Sequence, residues 1–239
     1  MSYHYALFKN KDKKLKSIIV LLSLLASLFG DVLLREEFDT LNQWEDLHFE
    51  KIKEHSVYET KDSTLIAKSD ASASGVTFKK KYDIYKYPVI KFKWKVGNVF
   101  AKGNAKVKSG DDYPIRIYVN FAYNPDKASF TEGILYSVAK KFYGEYPPHS
   151  AMNYIWANKK GLKGAVNNAY TSKVKMIALD EGVEKVGQWV EHTVNVLEDY
   201  KKAFGEKPPK MVSLAIMNDS DNTKEKATSY MDFIEISSE

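Results

Sequence analysis

Residues 219–223 read Asp-Ser-Asp-Asn-Thr, which gathers two carboxylates and a carboxamide into five positions. These are hard oxygen donors of the kind that calcium takes. The segment is no EF-hand loop, because Lys224 stands where the glycine belongs and Tyr230 where the closing acid belongs. The same side chains also suit an Asx-type turn, bonding to neighbouring backbone groups. Asp219, Asp221 and Asn222 are the candidate metal ligands, and calcium is the one cofactor the sequence leaves open.

A second polar set lies in 114–121. Ile115, Ile117, Val119 and Phe121 alternate with Arg116, Tyr118 and Asn120. In a strand that spacing puts the three polar residues together on the sheet face away from the core. A guanidinium, a phenol and an amide can fork, stack and donate, as lysines cannot. Tyr154 and Trp156 repeat the i, i+2 spacing on another apolar run, so they are expected beside Arg116, Tyr118 and Asn120 as one ligand-binding face. Core packing is the competing reading for both rings. Asp111 and Asp112 precede the Arg116 run. As sequence neighbours they point to opposite sides, so they are no ready acid–base pair, although one can reach Arg116 or a distant carboxylate.

Other chemistries find little here. The five histidines, His4, His48, His55, His149 and His192, form no metal-binding pair at helical spacing. There is no nucleophile-elbow, phosphate-loop or dinucleotide pattern. With no cysteine in the chain, disulfides, thiol catalysis and thiolate metal sites are excluded.

The elements that must hold these residues are short and strand-like. Runs at 32–38, 56–60, 64–68 and 75–81 are separated by turn residues, with a Lys61-Asp62-Ser63 turn between the second and third. At 89–96, Ile90, Phe92, Trp94 and Val96 alternate with Lys91, Lys93 and Lys95, which marks a strand with one solvated face. Further strands are expected at 114–121, 151–157, 174–179, 188–196, 211–217 and 229–236. Helical spacing appears at 130–142, through Ile134, Leu135, Val138 and Phe142, and at 198–204, stopped by Gly205. Strands at hairpin spacing with only one or two short helices in insertions predict a mostly β fold, an antiparallel β-sandwich or jelly roll.

The N-terminus has a different character. Lys9, Lys11, Lys13, Lys14 and Lys16 precede an uncharged run at 17–30, SIIVLLSLLASLFG. As a helix it spans roughly 21 Å, short of the roughly 30 Å hydrocarbon core, which is the length of a signal-peptide core. The expectation is a cleavable signal peptide over 1–30, one β-sandwich domain over 31–239, no membrane span after cleavage, and a periplasmic or secreted location. The whole chain carries a net charge of +5, and residues 1–30 hold five lysines against one aspartate, leaving a domain close to neutral. A nucleic-acid partner, which needs a concentrated basic surface, is therefore not expected.

Several segments together resemble the bacterial family called domain of unknown function 3047. They are Ser72-Ala73-Ser74-Gly75, 90–96 (IKFKWKV), 111–121 (DDYPIRIYVNF), Tyr154-Ile155-Trp156, Asp199-Tyr200 with Phe204-Gly205, and 215–223 (AIMNDSDNT). The series runs in order along nearly all of the chain after residue 30. The resemblance implies export and a jelly-roll layout, and no particular reaction. The function expected is an exported β-sandwich that binds carbohydrate or glycan through its polar–aromatic face. One alternative is a polysaccharide hydrolase or lyase using Asp111, Asp112, Asp219 or Asp221 in the same groove. The other is an envelope module for protein–protein contact.

Overall fold

The computed structural model describes residues 30–125, Tyr136 and 146–239. The signal peptide expected at 1–30, apart from Gly30, and the helix expected at 130–142, apart from Tyr136, lie outside the described residues. The strands before residue 122 are β1 (Val32–Glu36), β2 (Trp44–Leu47), β3 (Val57–Thr60), β4 (Leu65–Asp70), β5 (Ala73–Phe78), β6 (Tyr82–Asp83), β7 (Val89–Val96) and β8 (Arg116–Phe121). Beyond it come β9 (Ser150–Ala157), β10 (Ala165–Asn167), β11 (Val174–Glu181), β12 (Val190–Asn195), helix α1 (Val196–Phe204), β13 (Met211–Asp219) and β14 (Lys226–Ser237).

These strands form two sheets packed face to face, a mostly β sandwich of the jelly-roll kind. One sheet runs β12-β7-β14-β4-β3, with β1 added on β14. The other runs β10-β11-β9-β8-β13-β5-β2, with β6 added on β13. Pairing is antiparallel except between β11 and β9, which are parallel. No helix among the described residues is long and apolar enough to cross a membrane.

Alternation along each strand decides which side chains meet. In β7, Ile90, Phe92, Trp94 and Val96 are fully buried, while Lys91, Lys93 and Lys95 lie on the outer face. Opposite them stand Ile117, Val119 and Phe121 of β8 and Leu214 and Ile216 of β13, all in the same core. At the turn between β3 and β4, Asp62 and Ser63 take positive φ angles of 49° and 52°, the backbone twist a tight hairpin requires. Helix α1 is closed at both ends. The Asn195 side chain accepts from the Glu198 amide, and Gly205 ends the helix in the left-handed conformation at φ 75°.

Three strands have no counterpart in the expectation from sequence: β2, β6 and β10. β2 and β10 are sheet edges and β6 is two residues long. An edge strand needs little apolar alternation, and β2, with the sequence WEDL, shows none. β9 is buried along its whole length. Its inner face belongs to the main core. On its outer face Ile155 and Ala157 join Tyr113 and Met176 in a second small apolar cluster.

Candidate functional site

The outer face of the eight-stranded sheet is a groove of about 1320 Å³. Its floor is set by register. Arg116, Tyr118 and Asn120 of β8 pair with Met217, Ala215 and Ser213 of β13, and Ala215 pairs onward with Thr77 of β5. The small side chains of Ala215 and Ser213 leave the depression, and Arg116, Tyr118 and Asn120 rise along it. All three line the groove together, as their spacing predicts.

Tyr154 and Trp156 do not join them. β8 and β9 pair with Ile117 opposite Tyr154, so Tyr154 shares the inward face of Ile117. Both rings are fully buried in the main core, and Trp156 lies 6.1 Å from Trp94, centroid to centroid. Their polar tips are satisfied there. Tyr154 donates to Asp199 at 2.8 Å, and the Trp156 indole donates to the Gly182 carbonyl at 3.1 Å. The i, i+2 spacing correctly says that the two share a face. Only the strand register says which one. On the outer face of β9 the residue opposite Tyr118 is Asn153, fully buried, with neither amide atom bonded among the described residues.

Arg116 is the centre of the site. Its Nη2 donates to Asp219 at 2.5 Å, and its Nη1 lies 4.0 Å from Asp111. The guanidinium sits 5.1 Å from the Tyr113 ring and 5.2 Å from the Tyr118 ring. Nε and Nη1 are buried and have no hydrogen-bond partner among the described residues. Burial works against the Arg116 charge, but Asp219 together with Tyr118, Asp111 and Tyr113 outweighs it and holds the group above its ordinary range. Burial, modified by Arg116, also pushes the Tyr118 phenol up to about 12, so it stays a neutral donor.

Four carboxylates gather at this end, where Arg116 is the buried cation and Lys108 and Lys224 are exposed ones. Asp111 accepts from the Tyr113 hydroxyl at 3.0 Å and from the Asn168 amide at 2.7 Å. Asp112 is fully buried and ties the 221–224 turn in place, accepting from the Asn222 side chain at 2.8 Å and the Thr223 backbone at 2.5 Å. Asp219 is pushed above its ordinary range by burial, against the pull of Arg116 and with the push of Asp112, Asp111 and Asp221. Burial and then Asp112 raise Asp221 as well. Asp112, Asp219 and Asp221 each offer an oxygen within 4.8 Å of the others, an arrangement that could hold a metal ion. Asp112 thus takes the place expected for Asn222. The Asn222 amide nitrogen is turned to Asp112, and its oxygen accepts from the Tyr170 hydroxyl at 2.9 Å. Asp219 is the last residue of β13 rather than part of the turn.

The rest of the groove is aromatic and basic. Tyr170, 54% exposed, stands at the acidic end, while Tyr123 and Tyr146 line the other. Tyr123 stacks on Tyr136 at 3.8 Å. Lys79 and Lys81 also line the groove, beside the strand end where β6 meets Met211 and Val212. The run from Val212 to Met217 separates them from Arg116 by roughly 17 Å of strand. Tyr170 gives no sequence signal, because it lies in a loop without periodicity. Asp112 was legible only as one member of an adjacent pair.

The profile of the family DUF3047, described as protein of unknown function, matches residues 42–235. No curated protein matches the chain by sequence. Solved structures similar to it include the Lotus tetragonolobus seed lectin, 9% identical, covering 85% of this chain and 96% of the lectin, with a TM-score of 0.45. A lectin from Bauhinia forficata, solved with GalNAc, is 10% identical over 87% of this chain and 98% of its own, with a TM-score of 0.40. The Trichoderma harzianum endoglucanase 3 of family GH12 is 8% identical over 76% and 82%, with a TM-score of 0.39.

Proposed function

This chain belongs to the protein family of unknown function DUF3047, a membership that names no activity, and from the groove itself we propose that it binds a carbohydrate. One observation carries this reading. Arg116 is buried at the groove, held by Asp219 through one nitrogen, with Nε and Nη1 unbonded among the described residues. A buried donor without an acceptor is costly, on the order of 1–3 kcal/mol, and a ligand oxygen removes that cost. Around it lie the features that hold a sugar ring: a phenol in Tyr118, an amide in Asn120, carboxylates in Asp111, Asp219 and Asp221, and an exposed ring in Tyr170. An aromatic face covers the apolar face of a sugar while the polar groups take its hydroxyls.

The experiment is a glycan panel read beside thermal melts. Tyr118→Phe and Tyr170→Ala remove groove contacts from side chains that stand outside the main core. Each is expected to weaken binding by about tenfold while the melting temperature stays nearly fixed. Unchanged binding in both variants removes the groove from consideration.

A hydrolase or lyase reading has one observation in its favour. Asp219 and Asp221 both line the groove, approach within 4.8 Å, and have carboxyls raised by burial. A raised carboxyl can donate a proton to a leaving oxygen. Release of new ends from a polysaccharide, abolished in Asp221→Asn, separates this reading from binding alone. We place either activity outside the cytoplasm, on the signal-length run at 17–30.

A further inference from the structure

The groove's acidic end carries more information than the presence of polar groups. Arg116 there holds Nε and Nη1 buried and without a hydrogen-bond partner among the described residues, so a ligand that reaches them must bring acceptors. The surrounding oxygens belong to Asp111, Asp219 and Asp221, so the same ligand must bring hydrogens or positive charge. We propose that this end seats an uncharged sugar unit, read through adjacent hydroxyls. This rests on the carbohydrate reading above and names the class of unit within it.

A hydroxyl is the group that answers both demands, since it accepts from the guanidinium and donates to a carboxylate at once. Two neighbouring hydroxyls on one ring match the Arg116–Asp219 pair, one on each side of the ion pair. A ligand carboxylate meets Arg116 but has no hydrogen for the aspartates. It also faces Asp111, Asp219 and Asp221, with Asp112 behind them, and Arg116 is the buried cation among them, while Lys108 and Lys224 nearby are exposed, where water and salt screen them. A ligand ammonium meets the aspartates but offers Arg116 nothing and repels it. The unpartnered Nε and Nη1 of Arg116 add a demand that the carboxylates alone do not make, and together the two features select the group that is both donor and acceptor. Lys79 and Lys81 stand more than roughly 10 Å along the strand from this end, and Lys51, beyond the end of β2, is exposed, so salt screens all three more than it screens the buried Arg116.

The test uses the full chain and four probes of equal length: neutral hexose oligosaccharides, oligogalacturonate, amine-bearing chitosan oligosaccharides, and O-methylated neutral oligosaccharides. The methyl ethers keep every acceptor and lose every hydroxyl hydrogen. Neutral oligosaccharides are expected to bind, with each of the other three weaker by about tenfold or more. Arg116→Lys, with folding checked by its melt, is expected to weaken the neutral probe by about tenfold, and Lys91→Ala, on the outer face of the other sheet, to leave it unchanged. Should Arg116→Lys not fold, Asp221→Asn serves instead, since it removes one repelling charge and is expected to narrow the gap between neutral and uronate probes. Tighter binding of oligogalacturonate or chitosan oligosaccharides overturns this proposal and leaves the carbohydrate reading standing. So does binding lost in chelator and restored by calcium. If no probe binds the folded protein, the carbohydrate reading fails, and this proposal with it.

Discussion

Arg116 and Asp219, 103 residues apart in the chain, meet at 2.5 Å on the outer face of one sheet, each almost wholly buried. Breaking such a pair from one side leaves a charge without its partner. Arg116→Ala is expected to cost about 3–5 kcal/mol at neutral pH. The loss should shrink in mild acid, because Asp219, already raised by burial, then takes up a proton and no longer needs a counter-charge. Arg116→Ala combined with Asp219→Asn should be less destabilised than Arg116→Ala alone. Denaturant melts of the three proteins at two pH values check this. A double variant weaker than the single by the full sum would show that the pair is not coupled.

Trp94 links the two sheets. Its ring lies in the core of one sheet, and its indole donates at 2.8 Å to Asp180 of the other. Trp94→Ala is expected to cost roughly 3–5 kcal/mol through the cavity it leaves. Trp94→Phe keeps most of the volume and removes the donor, for a cost of about 1–3 kcal/mol. A loss below about 1 kcal/mol for the alanine variant in denaturant melts would contradict the packing.

Stability should peak in mild acid. Burial opposes the Asp180 charge, but bonds from His192, Lys185 and Trp94 prevail and bring it down to about 2 from 3.8. Its contribution is complete above the ordinary carboxylate value and is lost as pH falls through about 2. Asp219 and Asp221 run the other way. The fold favours their protonated forms, so their contribution is complete below 3.8 and is lost as pH rises through their elevated values. Asp221→Asn should flatten the neutral side of the stability profile, and Asp180→Asn the acid limb. A profile flat from about pH 7 to about pH 4 in the parent protein would refute the burial assigned to the acidic end.

Export is checked at the N-terminus. Protein recovered outside the cytoplasm is expected to begin near Asp31, after the small residue Gly30. Sequencing that starts at Met1 in a soluble cytoplasmic fraction would end that proposal.

The sequence by itself determined the strands whose two faces meet different surroundings. In β7 the lysines face solvent and the apolar stripe faces the core, so period two is written in the residues. The same holds for β8, and it is why Arg116, Tyr118 and Asn120 could be grouped on one face before any coordinates. Helix α1 was legible through its spacing and its closing Gly205. Family resemblance came from ordered segments whose spacing survives in the linear chain.

Tertiary structure decided what depends on register and on contacts far apart in the chain. Tyr154 and Trp156 lie on a strand buried on both faces, so no alternation marks the inward side, and the pairing of Tyr154 with Ile117 settles it. Asp180 is subtler. Regular alternation from Ile177 would turn it outward, but the register shifts between Ala178 and Asp180, and Asp180 comes to lie opposite Trp156, inside, where it reaches Trp94. Asp111, Asp112, Arg116, Asp219 and Asp221 come from two stretches that are brought together only because β8 and β13 pair with Arg116 opposite Met217. A carboxylate's meaning lies in its neighbours and its burial. Both are set by strand pairing, which the linear order of residues does not contain.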